Sequence, residues 1–208
     1  MSISAKDVKA LRDRTGAGMM DCKEALNQTN GDLEAAVDVL RTRGEAKAAK
    51  RAERSANEGT IGSYVHHGGS IGVLVEVNCE TDFVANTDDV QGLARDLAMH
   101  VAAAQPLAVS EDDLPSDVVE RERQVYLDQV RSEGKPEHIQ EKIVEGKLRK
   151  FYEENALMKQ AFVKDPDMSV EELVTQVSAK TGEKVTVSRF VRFEVGETGS
   201  SQETDGDE

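Results

Sequence analysis

Residues 60–85 read Thr60-Ile61-Gly62-Ser63-Tyr64-Val65-His66-His67-Gly68-Gly69-Ser70-Ile71-Gly72-Val73-Leu74-Val75-Glu76-Val77-Asn78-Cys79-Glu80-Thr81-Asp82-Phe83-Val84-Ala85. Two β-branched runs, 60–65 and 71–78, flank a five-residue loop rich in glycine, which is the pattern of a β-hairpin. Ile71, Val73, Val75 and Val77 alternate onto one face. Both neighbours of this stretch have the helical period instead. On the C-terminal side Thr87 caps a helix whose apolar stripe is Val90, Leu93, Ala94, Leu97, Ala98 and Val101, with Asp88 and Asp89 at its positive end. A hairpin set between helices predicts an α+β fold.

Working outward, residues 1–44 read as a three-helix module. Ser4 caps the first helix, with Val8 and Leu11 inward, and Thr15-Gly16-Ala17-Gly18 breaks it. Cys22, Ala25 and Leu26 point inward from the second helix, and Asn30-Gly31 ends it. The third carries Leu33, Ala36, Val37 and Leu40 and is expected to stop before Gly44. Met19 and Met20, beside two glycines, either close this thin core or stay outside as an adaptable apolar contact.

Residues 45–58 are expected to form a basic helical linker. Between 41 and 54 six basic groups face two acidic ones, with alanine as the apolar content. The plain reading is a solvated tether; the other is an electrostatic guide toward an acidic partner or RNA. Residues 59–196 form the α+β core. Beyond the hairpin it contains an antiparallel helix pair near 117–133 and 136–154, with Pro136 in the first turn of the second helix. A helix with the capping box Ser169/Glu172 follows, closed by Gly182. The last element is a long strand over 184–195, with Val185, Val187, Val191, Phe193 and Val195 alternating against polar residues. Residues 197–208 carry acids without bases and are expected to be a disordered tail.

The 208 residues contain 26 Lys and Arg against 40 Asp and Glu, a formal charge of −14, which opposes a phosphate backbone and makes a protein the expected partner rather than nucleic acid. No apolar run approaches the roughly 20 residues of a membrane span, and the N-terminus lacks a signal-peptide core, so a cytoplasmic location is expected. Cys22 and Cys79 have no metal or redox spacing. The His66-His67 pair lacks a third ligand, and no metal or other cofactor is expected. Phosphate-loop, dinucleotide, nucleophile-elbow and zinc-protease motifs are all missing, so the chain does not read as an enzyme. Thr81-Asp82-Phe83-Val84 stands out: a large aromatic beside an acid, between a buried strand and a helix cap, where binding residues concentrate. The residues alone leave Phe83 open as either a contact or a core side chain.

The run 11–26, Leu-Arg-Asp-Arg-Thr-Gly-Ala-Gly-Met-Met-Asp-Cys-Lys-Glu-Ala-Leu, resembles the amino-terminal signature of elongation factor Ts, and 75–85, Val-Glu-Val-Asn-Cys-Glu-Thr-Asp-Phe-Val-Ala, resembles its second signature. Phe162-Val163-Lys164-Asp165-Pro166 and 189–196 are similar to the carboxy-terminal part, so the likeness spans about residues 3–196. The resemblance implies a ubiquitin-associated-like three-helix module in which Arg12, Met19 and Met20 grip the GTPase domain of elongation factor Tu, whether GDP-bound or nucleotide-free. It also implies that Thr81, Asp82, Phe83 and Val84 dislodge the magnesium ion there, with Phe83 as the wedge. The family's longer members carry a duplicated core and a further helical module; this chain looks like the short form, for which a homodimer is implied, with the terminal strand as its element. An adaptor without exchange activity, or an RNA-binding protein using the basic linker, are the alternatives.

Overall fold

Ser4 accepts a hydrogen bond from the Asp7 amide while the Asp7 carboxylate accepts from the Ser4 amide, and this reciprocal cap starts α1 (Ala5–Thr15). In the computed structural model, which describes residues 3–51 and 53–197 without the side chains of 45 and 47–49, α2 (Met19–Gln28) and α3 (Leu33–Arg51) follow. Val8, Leu11, Cys22, Ala25, Leu26, Ala36 and Leu40 bury one another between these three helices. The expected tail, apart from Glu197, lies outside the described residues.

The expected stop before Gly44 does not occur. One helix, α3, carries both the end of the amino-terminal core and the basic stretch. Glycine inside a helix costs about 1 kcal/mol relative to alanine, and two features offset it here. The residues after Gly44 are mostly alanine, lysine and arginine, which are strong helix formers. The helix also lies along a helix of the core, α8 (Val170–Thr181). A Cβ on Gly44 would sit 3.8 Å from Ala179 Cβ, Arg51 Nη1 donates to the Ser178 carbonyl at 3.1 Å, and Arg41 pairs with Glu172 at 3.4 Å. The stretch is therefore docked, not a tether free in solvent.

The core runs β1 (Glu58–Val65), β2 (Ile71–Cys79), α4 (Asp82–Ala85), α5 (Asp88–Ala104), α6 (Ser116–Ser132), α7 (Glu137–Asn155), β3 (Ala161–Phe162), β4 (Asp165–Ser169), α8 and β5 (Thr186–Glu194). The expected hairpin forms with Thr60 opposite Val77 and Val65 opposite Gly72. β5 adds on the other side of β2, giving an antiparallel sheet in the order β1-β2-β5. α5 lies across one face, and its whole predicted stripe is buried against Val73, Val75 and Val77. α6 and α7 form the expected helix pair, although Pro136 takes the cap position just outside α7 instead of its first turn. The short hairpin β3–β4 carries no alternation long enough to announce it in the sequence.

The last strand departs from its expected pattern. Val77 pairs with Val187 but Glu76 pairs with Arg189, so Ser188 is an inserted residue, a β-bulge, whose hydroxyl donates to the Asn78 side-chain carbonyl. One inserted residue exchanges the faces of everything after it. Val185 and Val187 are buried as expected, but Phe190 then turns toward the helices, and Val191, Phe193 and Val195 turn to the opposite face of the sheet and are exposed.

His100 on α5 is fully buried. Its Nδ1 accepts from the Val163 amide at 3.2 Å, so Nε2 carries the proton and donates to Gln160 Oε1 at 2.9 Å. Burial holds the imidazole below its ordinary value of 6.5, the bond to Gln160 opposing this. As pH falls through about 6.5 toward the lower folded value, the unfolded chain binds a proton the folded chain does not, so stability is present above that window and lost on entering it. Urea midpoints measured from about pH 7.5 to about pH 5.5 should fall more steeply in wild type than in His100→Gln; parallel slopes would contradict the assignment.

Candidate functional site

Thr81 ends β2's extension and caps α4, a single turn where the sequence suggested a loop. Its side chain accepts from the Val84 amide at 3.3 Å, and its carbonyl accepts from Cys79 Sγ at 3.1 Å. Val84 and Ala85 are buried in the main core. At about 100° per residue, burying those two turns the preceding side chain outward. Phe83 is accordingly 80% exposed, which settles the question left by its sequence: the ring is not core. At the other end the Thr87 hydroxyl donates to the Val84 carbonyl at 2.7 Å and caps α5, so α4 is tied to β2 before it and to α5 after it.

A second layer of bonds comes from the far end of the chain. Glu183 Oε2 accepts the Glu80 and Thr81 amides at 3.1 and 3.0 Å, and Oε1 accepts the Thr81 hydroxyl at 2.7 Å. In return Glu80 Oε1 accepts the Lys184 amide at 2.6 Å. That bond, with Arg54 beside it, holds the Glu80 carboxyl below the usual carboxylate range. Burial and the nearby Glu183 charge push the Cys79 thiol up, so it stays protonated and donates. No local signal in the sequence marks Glu183, which lies 102 positions from Thr81.

Arg12, Met19 and Met20 flank the α1–α2 turn, where Gly16 adopts φ +67° and its amide donates to the Arg12 carbonyl. Met19 and Met20 open α2 and are 48% and 67% exposed. The small core behind them is closed without them. Thr81, Asp82, Phe83 and Val84 share one helical turn; no hydrogen bond or ion pair among the described residues joins that turn to Arg12, Met19 or Met20. Among the described residues no three His, Cys, Asp or Glu side chains are grouped to hold a metal ion, and no helix is long and apolar enough to cross a membrane. At the hairpin tip His66 Nδ1 is bonded to the Tyr64 hydroxyl at 3.0 Å.

A protein-family model described as elongation factor TS matches residues 7–197. The chain belongs to the elongation factor Ts family. It is 57% identical over 195 residues to elongation factor Ts of Thermosipho melanesiensis, covering 94% of this chain and all of that one. Similarity extends to elongation factor Ts of Moorella thermoacetica, 55% identical over 94% of this chain and 96% of that one. To that of Geobacter sulfurreducens the chain is 54% identical over 99% of itself and 95% of the relative. Each of these relatives is thus matched over at least 95% of its own length. It is a guanine nucleotide exchange factor for elongation factor Tu, working in cytoplasmic translation elongation, and not an enzyme.

Since Phe83 makes little contact with its own chain, Phe83→Ala should leave the thermal midpoint within about 2 °C of wild type, as surface changes stay within about 0.5 kcal/mol. A loss of several degrees in a calorimetric scan would mean that the ring supports the fold.

Proposed function

We propose that Thr81, Asp82, Phe83 and Val84 are the element that displaces the magnesium ion of elongation factor Tu, and that the ubiquitin-associated-like module of residues 1–44 docks through Arg12, Met19 and Met20. The observation that carries the first part is a nearly bare phenylalanine on a turn bound at both ends. Elongation factor Tu holds GDP through its phosphate loop and a bridging Mg²⁺. A partner ejects nucleotide only by binding the distorted state better than the closed one. A ring pushed into a close-packed site must displace what is there, because such packing does not compress. With the ion gone, the phosphate charge is poorly compensated. A coupling of about 4 kcal/mol weakens GDP roughly a thousandfold, and GDP weakens the grip of the factor equally.

The docking part is supported by the exposure of both methionines over a core that is complete without them. Unbranched thioether chains suit a contact that must adapt as the GTPase changes state. The RNA-binding reading finds less support, because Arg41, Arg43, Arg51 and Arg54 already meet Glu172, Glu24, the Ser178 carbonyl and Glu80, respectively. An adaptor would have no use for Phe83.

The homodimer reading rests on the sheet face opposite α5. Register places Leu74 beside Val191, and Val65 and Phe193 on either side of Gly72, so Ile61, Val65, Leu74, Val191 and Phe193 form one exposed apolar surface, with Phe193 69% exposed. β5 is also a sheet edge. Two copies of such a face bury it symmetrically.

Stopped-flow release of a fluorescent GDP from elongation factor Tu separates the two roles. Phe83→Ala should slow maximal release at least about tenfold. Replacing Met19 and Met20 with Ser should raise the half-saturating concentration more than it lowers the maximal rate, and an equal loss in the maximal rate would contradict docking. In light scattering at micromolar concentration the free protein should have twice the monomer mass, and Val191→Asp should halve it; a wild-type monomer with full activity on dilution would sink the dimer and leave exchange untouched.

A further inference from the structure

We propose that Glu183 is a positioning residue for exchange: from the turn between α8 and β5 it fixes the direction in which Phe83 points. The proposal rests on the reading of Phe83 as the displacing ring. One carboxylate here accepts three hydrogen bonds, two from the backbone amides of Glu80 and Thr81 and one from the Thr81 hydroxyl. Bonds to a charged acceptor are about twice as strong as neutral ones. Thr81 is the capping residue of α4, and its side-chain oxygen is shared between Glu183 and the Val84 amide. Rotating Thr81 would therefore release the cap and the turn that carries Phe83 together.

Glu183 is itself held. Ser178 donates its hydroxyl to the Glu183 carbonyl at 2.5 Å, and Gly182 before it takes φ +80°, the left-handed helix end that sends the chain back toward β2. The Lys184 amide binds Glu80 Oε1, so each of the two segments lends a carboxylate to the other's backbone. Lys184 Nζ reaches the Arg54 carbonyl at 2.9 Å and Arg54 Nη1 reaches Glu80 at 3.2 Å, which brings the segment following α3 to the same node. None of these groups needs to touch the GTPase. Their effect on exchange passes through the orientation of one ring, and misplacement by about 1 Å costs about a hundredfold in reactions that depend on geometry.

The experiment compares Glu183→Ala, Glu183→Gln, Phe83→Ala and the Glu183→Ala/Phe83→Ala pair in fluorescent GDP release, with amide hydrogen exchange of the free proteins. Glu183→Ala should lower the maximal release rate about tenfold, with the half-saturating concentration within about twofold of wild type and faster exchange of the Thr81 amide. Glu183→Gln, whose carbonyl oxygen still accepts both amides, should recover most of the rate; it also carries the test if the alanine variant folds poorly. On the Phe83→Ala background Glu183→Ala should cost less than about twofold more, because a misdirected ring cannot be lost twice. A wild-type rate for Glu183→Ala beside a slow Phe83→Ala overturns the role of Glu183 alone, as does a loss that multiplies undiminished onto Phe83→Ala. Phe83→Ala at the wild-type rate instead overturns the reading of the ring, and the proposal with it.

Discussion

Helix α5 crosses β1 at Gly62, where the strand has no side chain to hold it off. A Cβ on Gly62 would lie 2.1 Å from the Ala94 carbonyl oxygen and 2.8 Å from Ala94 Cβ, so only glycine allows the helix to rest on the strand at this depth. Gly59 on the same strand is as restricted, its missing Cβ falling 2.3 Å from the Val77 carbonyl oxygen. The close approach brings Leu93, Ala94, Leu97 and Val101 into the valines of β2, and the main core grows from that contact. It also fixes the position of Thr87 at the start of α5. Since only Asn86 separates α4 from Thr87, the turn that presents Phe83 is set by how deeply α5 sits. Widening the gap at Gly62 would move the exposed ring as well as loosen the core.

The parts of this fold legible in the sequence were those determined within a few residues. Ser4, Thr87 and Ser169 each announce a helix start through a side chain that reaches its own third neighbour, and each does so in the structure. The hairpin and the α5 stripe follow from periodicity, which burial then enforces. What was not legible depended on contacts across the chain. Gly44 is a helix breaker by local preference, and its helix continues because it packs along α8. The bulge at Ser188 leaves the alternation of valines intact on paper and exchanges its meaning halfway along the strand. Glu183 was invisible for the same reason, being one acid among forty until the fold places it under Thr81. In the candidate site Thr81–Val84 could be found as a segment, whereas the outward direction of Phe83 follows from the burial of Val84 and Ala85 beside it.

The bulge also connects the two faces of the sheet. Without the bulge, Val191 and Phe193 would point at the helices along with Val185 and Val187, and Phe190, Arg192 and Glu194 would face outward. With it, the inner face receives Phe190 in place of the next valine, and the outer face gains an apolar surface continuous with Leu74 and Val65. One residue thus converts the end of the strand from core into surface.

The energetics explain why the turn carrying Phe83 is so heavily bound. Burying a phenylalanine side chain is worth about 1.5–3 kcal/mol relative to leaving it exposed. Ordering the backbone costs about 1–2 kcal/mol per residue. Were residues 81–84 loose in the free protein, fixing four of them on the proposed insertion would cost about 4–8 kcal/mol, more than the ring returns. The turn is instead ordered during folding by the Thr81 cap, the Glu183 carboxylate, the Cys79 thiol and the Thr87 hydroxyl. In the proposed role, the gain from insertion then remains available to oppose the nucleotide. An element this small can act in the proposed way only when its conformational cost has already been met elsewhere in the fold.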